Sequence, residues 1–306
     1  MSLSTAVRHL SARGLRACCL PALLAPCSAF AATPLSVPFQ LTHSITMDPS
    51  FAPDGKRLVY ITVVEDKEQL FTMNADGSDR RQITHDASDH EDPAWSPDGK
   101  RIAYVSIHDG FQIITLIDPD GSHPEALTPQ DIHVIHPRWH PDGARLAYCT
   151  TDDLNPPAKN ASEIQEIDLR TRKIKTLVTG GINTYPAFSP DGRKLAFRKF
   201  VGESNSEVFV ANSDGSDAKN VSNDPAIDGW PAWSPDGAHI AFASNRRFSF
   251  QIFLMRADGS DVRLVANTDG RATAPTWAPN GKSVLFPLCK NADYGVGCEI
   301  LSSPIP

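Results

Sequence analysis

The chain has 306 residues and a formal net charge of −7, from 29 Lys and Arg against 36 Asp and Glu. An acidic balance of this kind argues against nucleic acid as a partner, because neutralising phosphates needs a basic face. No stretch after residue 31 holds the ~20 consecutive apolar residues of a membrane span, and the length suits one domain with a sizeable core.

Residues 1–31 carry Arg8, Arg13 and Arg16, then an apolar run from Ala17 to Ala25, then Ala29-Phe30-Ala31. This is the pattern of a secretory signal with a small-residue cleavage site, and it predicts a periplasmic or secreted protein. A lipoprotein signal using Cys27 is the alternative, against which Pro26 stands as an awkward neighbour for cleavage. Removal of the signal takes away three arginines and no acids, so the formal charge moves from −7 to −10.

From residue 37 the chain is periodic. Pro93-Ala94-Trp95-Ser96-Pro97-Asp98-Gly99 leads into Lys100-Arg101-Ile102-Ala103-Tyr104, and related strings begin at Pro49, Pro137, Pro186, Pro231 and Pro275. Their turn glycines, Gly55, Gly99, Gly143, Gly192, Gly237 and Gly281, are spaced by 44, 44, 49, 45 and 44 residues. Each copy joins two β-prone runs through x-Pro-Asp-Gly, where proline presets a type I turn and glycine takes the left-handed position after it. A second turn, such as Asp76-Gly77-Ser78 or Asp214-Gly215-Ser216, follows most of the first ones and is preceded by another strand-like run. These Asp-Gly pairs read as turn formers, since each loop has too few oxygens for a calcium shell.

Four short strands per period of about 44 residues describe a propeller blade, and six periods describe an all-β, six-bladed β-propeller over residues 32–306. Phe51, Trp95, Trp139, Phe188, Trp233 and Trp277 are expected to pack between blades. Val37-Pro38-Phe39-Gln40-Leu41-Thr42 matches the end of a repeat, as at Arg81-Gln82-Ile83-Thr84, while the last repeat stops near Ser302 without its fourth strand. The N-terminal strand is therefore predicted to complete the sixth blade and close the ring, which pairs both open edges.

The string at Trp95–Tyr104, with segments such as Ala257-Asp258-Gly259-Ser260-Asp261 and Leu127-Thr128, resembles the repeats of the TolB-like β-propeller family. The resemblance covers about residues 37–303. It implies the six-bladed fold and an envelope role, since TolB is the periplasmic partner of a peptidoglycan-associated lipoprotein. Similar repeats also occur in propeller domains of peptidases and in a lyase acting on pectin fragments. TolB carries a further α/β domain ahead of its propeller, for which this chain leaves no room, so a stand-alone propeller is expected.

Three cysteines follow the signal. Cys289 and Cys298 sit at a hairpin mouth in an oxidising compartment and are predicted to form a disulfide, whereas Cys149 lies in a strand and reads as a buried free thiol.

The x-Pro-Asp-Gly and Asp-Gly-Ser turns share one regular face, so function is expected on the irregular loops of the other. The residue before each leading proline is expected to begin the innermost strand and stand at the channel mouth: Asp48, Asp92, His136, Tyr185, Trp230 and Ala274. His43, His85, His90, His133 and His136 all fall in the first three blade crossings. A polar recognition surface is the first reading of this half. A divalent metal held by imidazoles with Asp48 and Asp92 is the second, although no pair has a sharp ligand spacing. Arg246-Arg247 is the basic pair of the second-to-third strand loops and suits a carboxylate partner or plain solvation. The longest of these loops, Thr151 to Ser162 with Asn155-Pro156-Pro157, reads as a flap over the mouth or a tolerated insertion.

No G-x-S-x-G elbow, H-E-x-x-H, P-loop or G-x-G-x-x-G is present. The expectation is a monomeric binding module without a cofactor, whose mouth (Asp48, His90, Asp92, His133, His136, Tyr185, Trp230) receives a small polar ligand or a protein segment. By resemblance, that segment belongs to an envelope protein or lipoprotein. The rival is a metal-assisted lyase or hydrolase acting on an acidic sugar, with Arg246 or Arg247 on the substrate carboxylate.

Overall fold

The computed structural model describes residues 39–41, 46–130, 133–151, 161–202, 204–290 and 297–305. The predicted signal with Cys27, the crossing that holds His43, and nearly all of the 151–162 loop lie outside the described residues.

Six antiparallel sheets follow one another along the chain, five of them with their strands in sequential order from the innermost outwards and the sixth with the chain's first described strand as its outermost. The first blade is Thr46–Phe51, Arg57–Val64, Lys67–Asn74 and Arg81–Gln82. Five sheets have four strands; the sixth has five, because its innermost strand is split into Arg271–Ala272 and Thr276–Trp277. Ring closure is as predicted. Phe39 pairs with Ser302 and Gln40 with Leu301, and Leu41 N donates to Ile300 O at 2.8 Å. Among the described residues no helix is long and apolar enough to cross a membrane.

The turns form for the reasons their residues suggest. Gly99 N donates to Ser96 O at 3.0 Å, while the Asp98 carboxylate accepts from Ser96 Oγ at 2.7 Å and Lys100 N at 3.1 Å. In the second turn, Asp76 accepts from the backbone N of Ser78 at 2.9 Å and from its hydroxyl at 2.6 Å, a pattern repeated at Asp120, Asp214 and Asp258. These hydrogen bonds hold the four carboxyls below their usual pKa.

The core is six apolar clusters between neighbouring blades, and the one joining the first and second blades also takes in Cys289 and Cys298 of the sixth. Leu41 of the closing strand joins Leu58, Tyr60, Leu285 and Ile300 across the seam between the last blade and the first. The repeat tryptophans stitch these seams. The indoles of Trp139, Trp233 and Trp277 donate to the carbonyls of Ala94, Ala187 and Ala232 in the preceding blade, at 3.0, 3.1 and 3.0 Å. Trp95 bonds differently, to Gly99 O of its own turn at 3.2 Å. Cys289 and Cys298 are directly paired residues of one hairpin and form the predicted disulfide; Cys149 is buried and free.

The glycine of the second turn has two duties. It lies at φ +85 to +89, and it abuts the outer strand of the preceding blade: a Cβ at Gly215 would sit 1.8 Å from Leu177 O, and one at Gly259 2.2 Å from Val221 O. Gly110, at φ +82, has nothing within 4 Å of such a Cβ. Gly110→Ala should therefore cost about 1 kcal/mol of conformational strain alone, whereas Gly215→Ala should cost at least about 3 kcal/mol by forcing two blades apart. Equal losses in urea unfolding would show that close approach is not what this glycine serves.

Candidate functional site

Each innermost strand contains the same irregularity. In blades one to five its ladder skips between Met47 and Ser50, Glu91 and Ala94, Ile135 and Arg138, Thr184 and Ala187, and Gly229 and Ala232. The skipped pair is always X-Pro. X adopts a left-handed conformation in all six blades: φ is 47 at Asp48, 53 at Asp92, 56 at His136, 53 at Tyr185, 54 at Trp230 and 42 at Ala274. This is a β-bulge, which bends the strand and re-aims a side chain. The strands begin before these residues, for example at Thr46, Asp89 and His133. The ring thus stands inside the channel, where the sequence reading had placed it at the rim.

Asp48, Tyr185, Trp230 and Ala274 line a central cavity of about 480 Å3. Its walls continue through the residues after the bulge to Pro97, Pro141, Pro190 and Pro235, the turn prolines of four blades. The face that looked regular in sequence is therefore where this cavity is walled. Nine of its lining residues are prolines, and Arg138 is its one lining cation. Arg138 occupies the position held by Ser50, Ala94, Ala187, Ala232 and Thr276 in the other repeats, a departure readable in the sequence but missed by it.

Around the ring the chemistry changes by sector. His136 stacks on Tyr185 at 3.7 Å between centroids, Tyr185 meets Trp230 at 5.3 Å, and Trp230 meets Phe250 edge-on at 5.4 Å. His136 N donates to the Asp92 carboxylate at 3.1 Å, tying the third blade to the second. Burial raises the pKa of Asp92, opposed by Arg138 and by this hydrogen bond. Burial, helped by Arg138 and Arg198, holds His136 neutral well below the usual histidine range. Its Nδ1 is buried without a hydrogen bond.

The acidic sector extends to two glutamates that the sequence reading overlooked. Glu68 is pushed up to about 7 by burial and by Asp48, Asp89 and Asp92. Glu91 is pushed up to about 8 by burial and by Asp92, Glu68, Asp48 and Asp89. Lys67 answers part of this charge through Asp89 at 2.9 Å.

Other expected site residues are placed elsewhere. His90 is fully buried, bonded to Asp86 at 3.1 Å and edge-on to Tyr104. His133 stacks on Phe111 and accepts weakly from Gln112 N at 3.4 Å. Arg246 is committed within its own blade, donating to Ser244 Oγ at 2.8 Å and to the fully buried Asp228 at 2.7 Å. Arg247 lies exposed on the hairpin tip beside the exposed Phe248. Among the described residues no three His, Cys, Asp or Glu side chains converge to hold a metal ion.

A carboxyl whose pKa is raised by folding binds its proton more tightly in the native state, so stability is full at low pH and falls as pH rises. Between about pH 4.5 and about pH 8 the native protein should lose stability relative to a Glu68→Gln/Glu91→Gln variant. Urea midpoints of the two across that range give the difference curve, and a flat curve would remove the raised pKa values.

Residues 39–114 and 111–303 match the profile of the TolB beta propeller domain. In structure the chain is similar to a protein assigned as TolB from Agrobacterium tumefaciens, at 21% identity and a TM-score of 0.65, covering 87% of this chain and 92% of that one. TolB from Acinetobacter baumannii gives 21% and 0.66 over 81% of this chain and 63% of that chain, so less than two thirds of the Acinetobacter protein is spanned. Oligogalacturonate lyase from Vibrio parahaemolyticus gives 13% and 0.59, over 87% and 93%. At such identities the likeness in structure speaks for the fold alone. No curated protein matches the chain in sequence. The profile runs from the closing strand to the last blade, and the chain belongs to the TolB beta propeller family.

Proposed function

We propose that this propeller is a secreted or periplasmic binding module whose channel receives a small polar ligand or a segment of an envelope protein or lipoprotein. The observation that carries the reading is the cavity itself: about 480 Å3, walled by proline rings and indoles, with Asp48 and Arg138 among its few charged groups. Proline has no N–H, so these walls offer an entering chain apolar surface and carbonyl groups. A few placed polar groups on an apolar wall are what orient a ligand in a concave site. The TolB-type neighbours make a protein segment the leading occupant. The reading invokes no cofactor, and the acidic-sugar alternative lacks a converging set of metal donors among the described residues.

Trp230 and Tyr185 are packed into the channel wall, and truncating them would damage the fold. Asp48→Asn with Arg138→Gln keeps side-chain volume and removes both charges from the cavity. Affinity capture from an envelope extract of the source organism should return a partner with the native protein and lose it with this double variant, at an unchanged circular dichroism spectrum. Capture retained by the variant would move binding off the channel.

A further inference from the structure

One column of the repeat is broken by a charge. The residue after the second strand's central aromatic is Ile61, Val105, Cys149, Ala243 and Pro287 in five blades, and Arg198 in the fourth. Ile61, Val105, Cys149 and Ala243 are buried among apolar neighbours. Arg198 instead places its guanidinium carbon 4.5 Å from the ring centroids of both Phe200 and Trp230. Arg271 of the sixth blade does the same with Phe250 at 4.9 Å, and Phe250 is the ring that meets Trp230 edge-on.

Unlike Arg246, Arg198 pairs with no acid among the described residues. Its Nε donates to Ser206 Oγ at 2.8 Å, and among the described residues its two terminal nitrogens make no hydrogen bond and no ion pair. Burial and the neighbouring Arg271 both hold its pKa below the ordinary arginine value, with only Tyr185 opposing. Two half-buried like charges side by side cost energy, and stacking on aromatic rings offsets part of that cost while leaving the planar edge of the Arg198 fork open. The wall is shaped for this arginine. Gly229 is not in the left-handed region, so its backbone does not demand glycine, yet a Cβ there would lie 2.6 Å from Arg198 Cδ.

We propose that Arg198, seated on Phe200 and on the cavity-lining Trp230, forms a carboxylate-binding site that takes an acidic side chain or the C-terminal carboxylate of a peptide segment. A guanidinium fork matches a planar carboxylate bidentately. Asp48 and Asp92 in the other sector of the ring disfavour a more highly charged anion. The assignment rests on the channel-binding reading and gives its occupant a chemistry.

The test titrates two blocked peptides into isotope-labelled protein: acetyl-Gly-Glu-Gly-amide and acetyl-Gly-Gly with a free C-terminus. Each is run beside its neutral counterpart, the glutamine peptide or the C-terminal amide. The readouts are the Arg198 Nε–H and Trp230 indole resonances. At least one carboxylate peptide should shift both saturably with an affinity on the order of 1 mM, its neutral partner should not, and Arg198→Gln should weaken it about tenfold or more. Gly229→Ala, which displaces Arg198 while keeping its charge, should weaken it too and decides the matter if Arg198→Gln fails to fold. Which peptide binds identifies the source of the carboxylate. Equal response to charged and neutral peptides, no saturable response to either carboxylate, or affinity unchanged in the variants would overturn the site. If capture still depends on Asp48 and Arg138 while these peptides fail, the channel reading stands and only the carboxylate site falls.

Discussion

A propeller sets six strand edges around one axis, and every backbone group left on those edges needs an account. The X-Pro bulge supplies it. Neither residue of the skipped pair takes part in the ladder, and proline has no N–H to leave unpaired. In the third blade the N–H of X is passed to the blade before it: His136 N goes to Asp92. Left-handed backbone at a non-glycine residue costs on the order of 1 kcal/mol, and the ring accepts that cost six times. In return, the side chain of X and the proline ring become the lining of the channel.

Much of the architecture was legible because turn chemistry is local. Proline and glycine declare their φ angles in the sequence, so period, hairpins, ring closure and the disulfide could be read one residue at a time. The site was less legible because it depends on phase. In a strand, a slip of one residue exchanges the two faces, and the bulge is such a slip. His90 and His133 read as loop residues, yet their strands begin early enough to absorb them, one beneath Tyr104 and the other beside Phe111. Arg198 and Arg138 were readable only by comparing repeats column by column, where each stands in a position otherwise held by small or apolar residues.

The channel that results is polar by sector rather than by depth. Blades one and two bring Asp48, Glu68, Glu91 and Asp92 together, and the fourth, fifth and sixth bring Arg198, Arg271 and aromatic rings. His136 and Tyr185 stand between the two, stacked on each other. The charged residues that line the cavity itself are Asp48 and Arg138, one of each sign, which favours orientation of a ligand over simple attraction.

The clasp that closes the ring also sets how the molecule answers mechanical load. The first described strand and the last run antiparallel as neighbours, joined through Phe39, Gln40 and Leu41. Tension applied to the two strands at their common end peels these pairs apart singly, whereas a sideways pull would have to break them together. The Cys289–Cys298 bond lies one strand further in, within a single hairpin, and does not span the clasp. Traction on these two strands is therefore carried by the backbone pairing and packing of this seam, with no covalent bond across it.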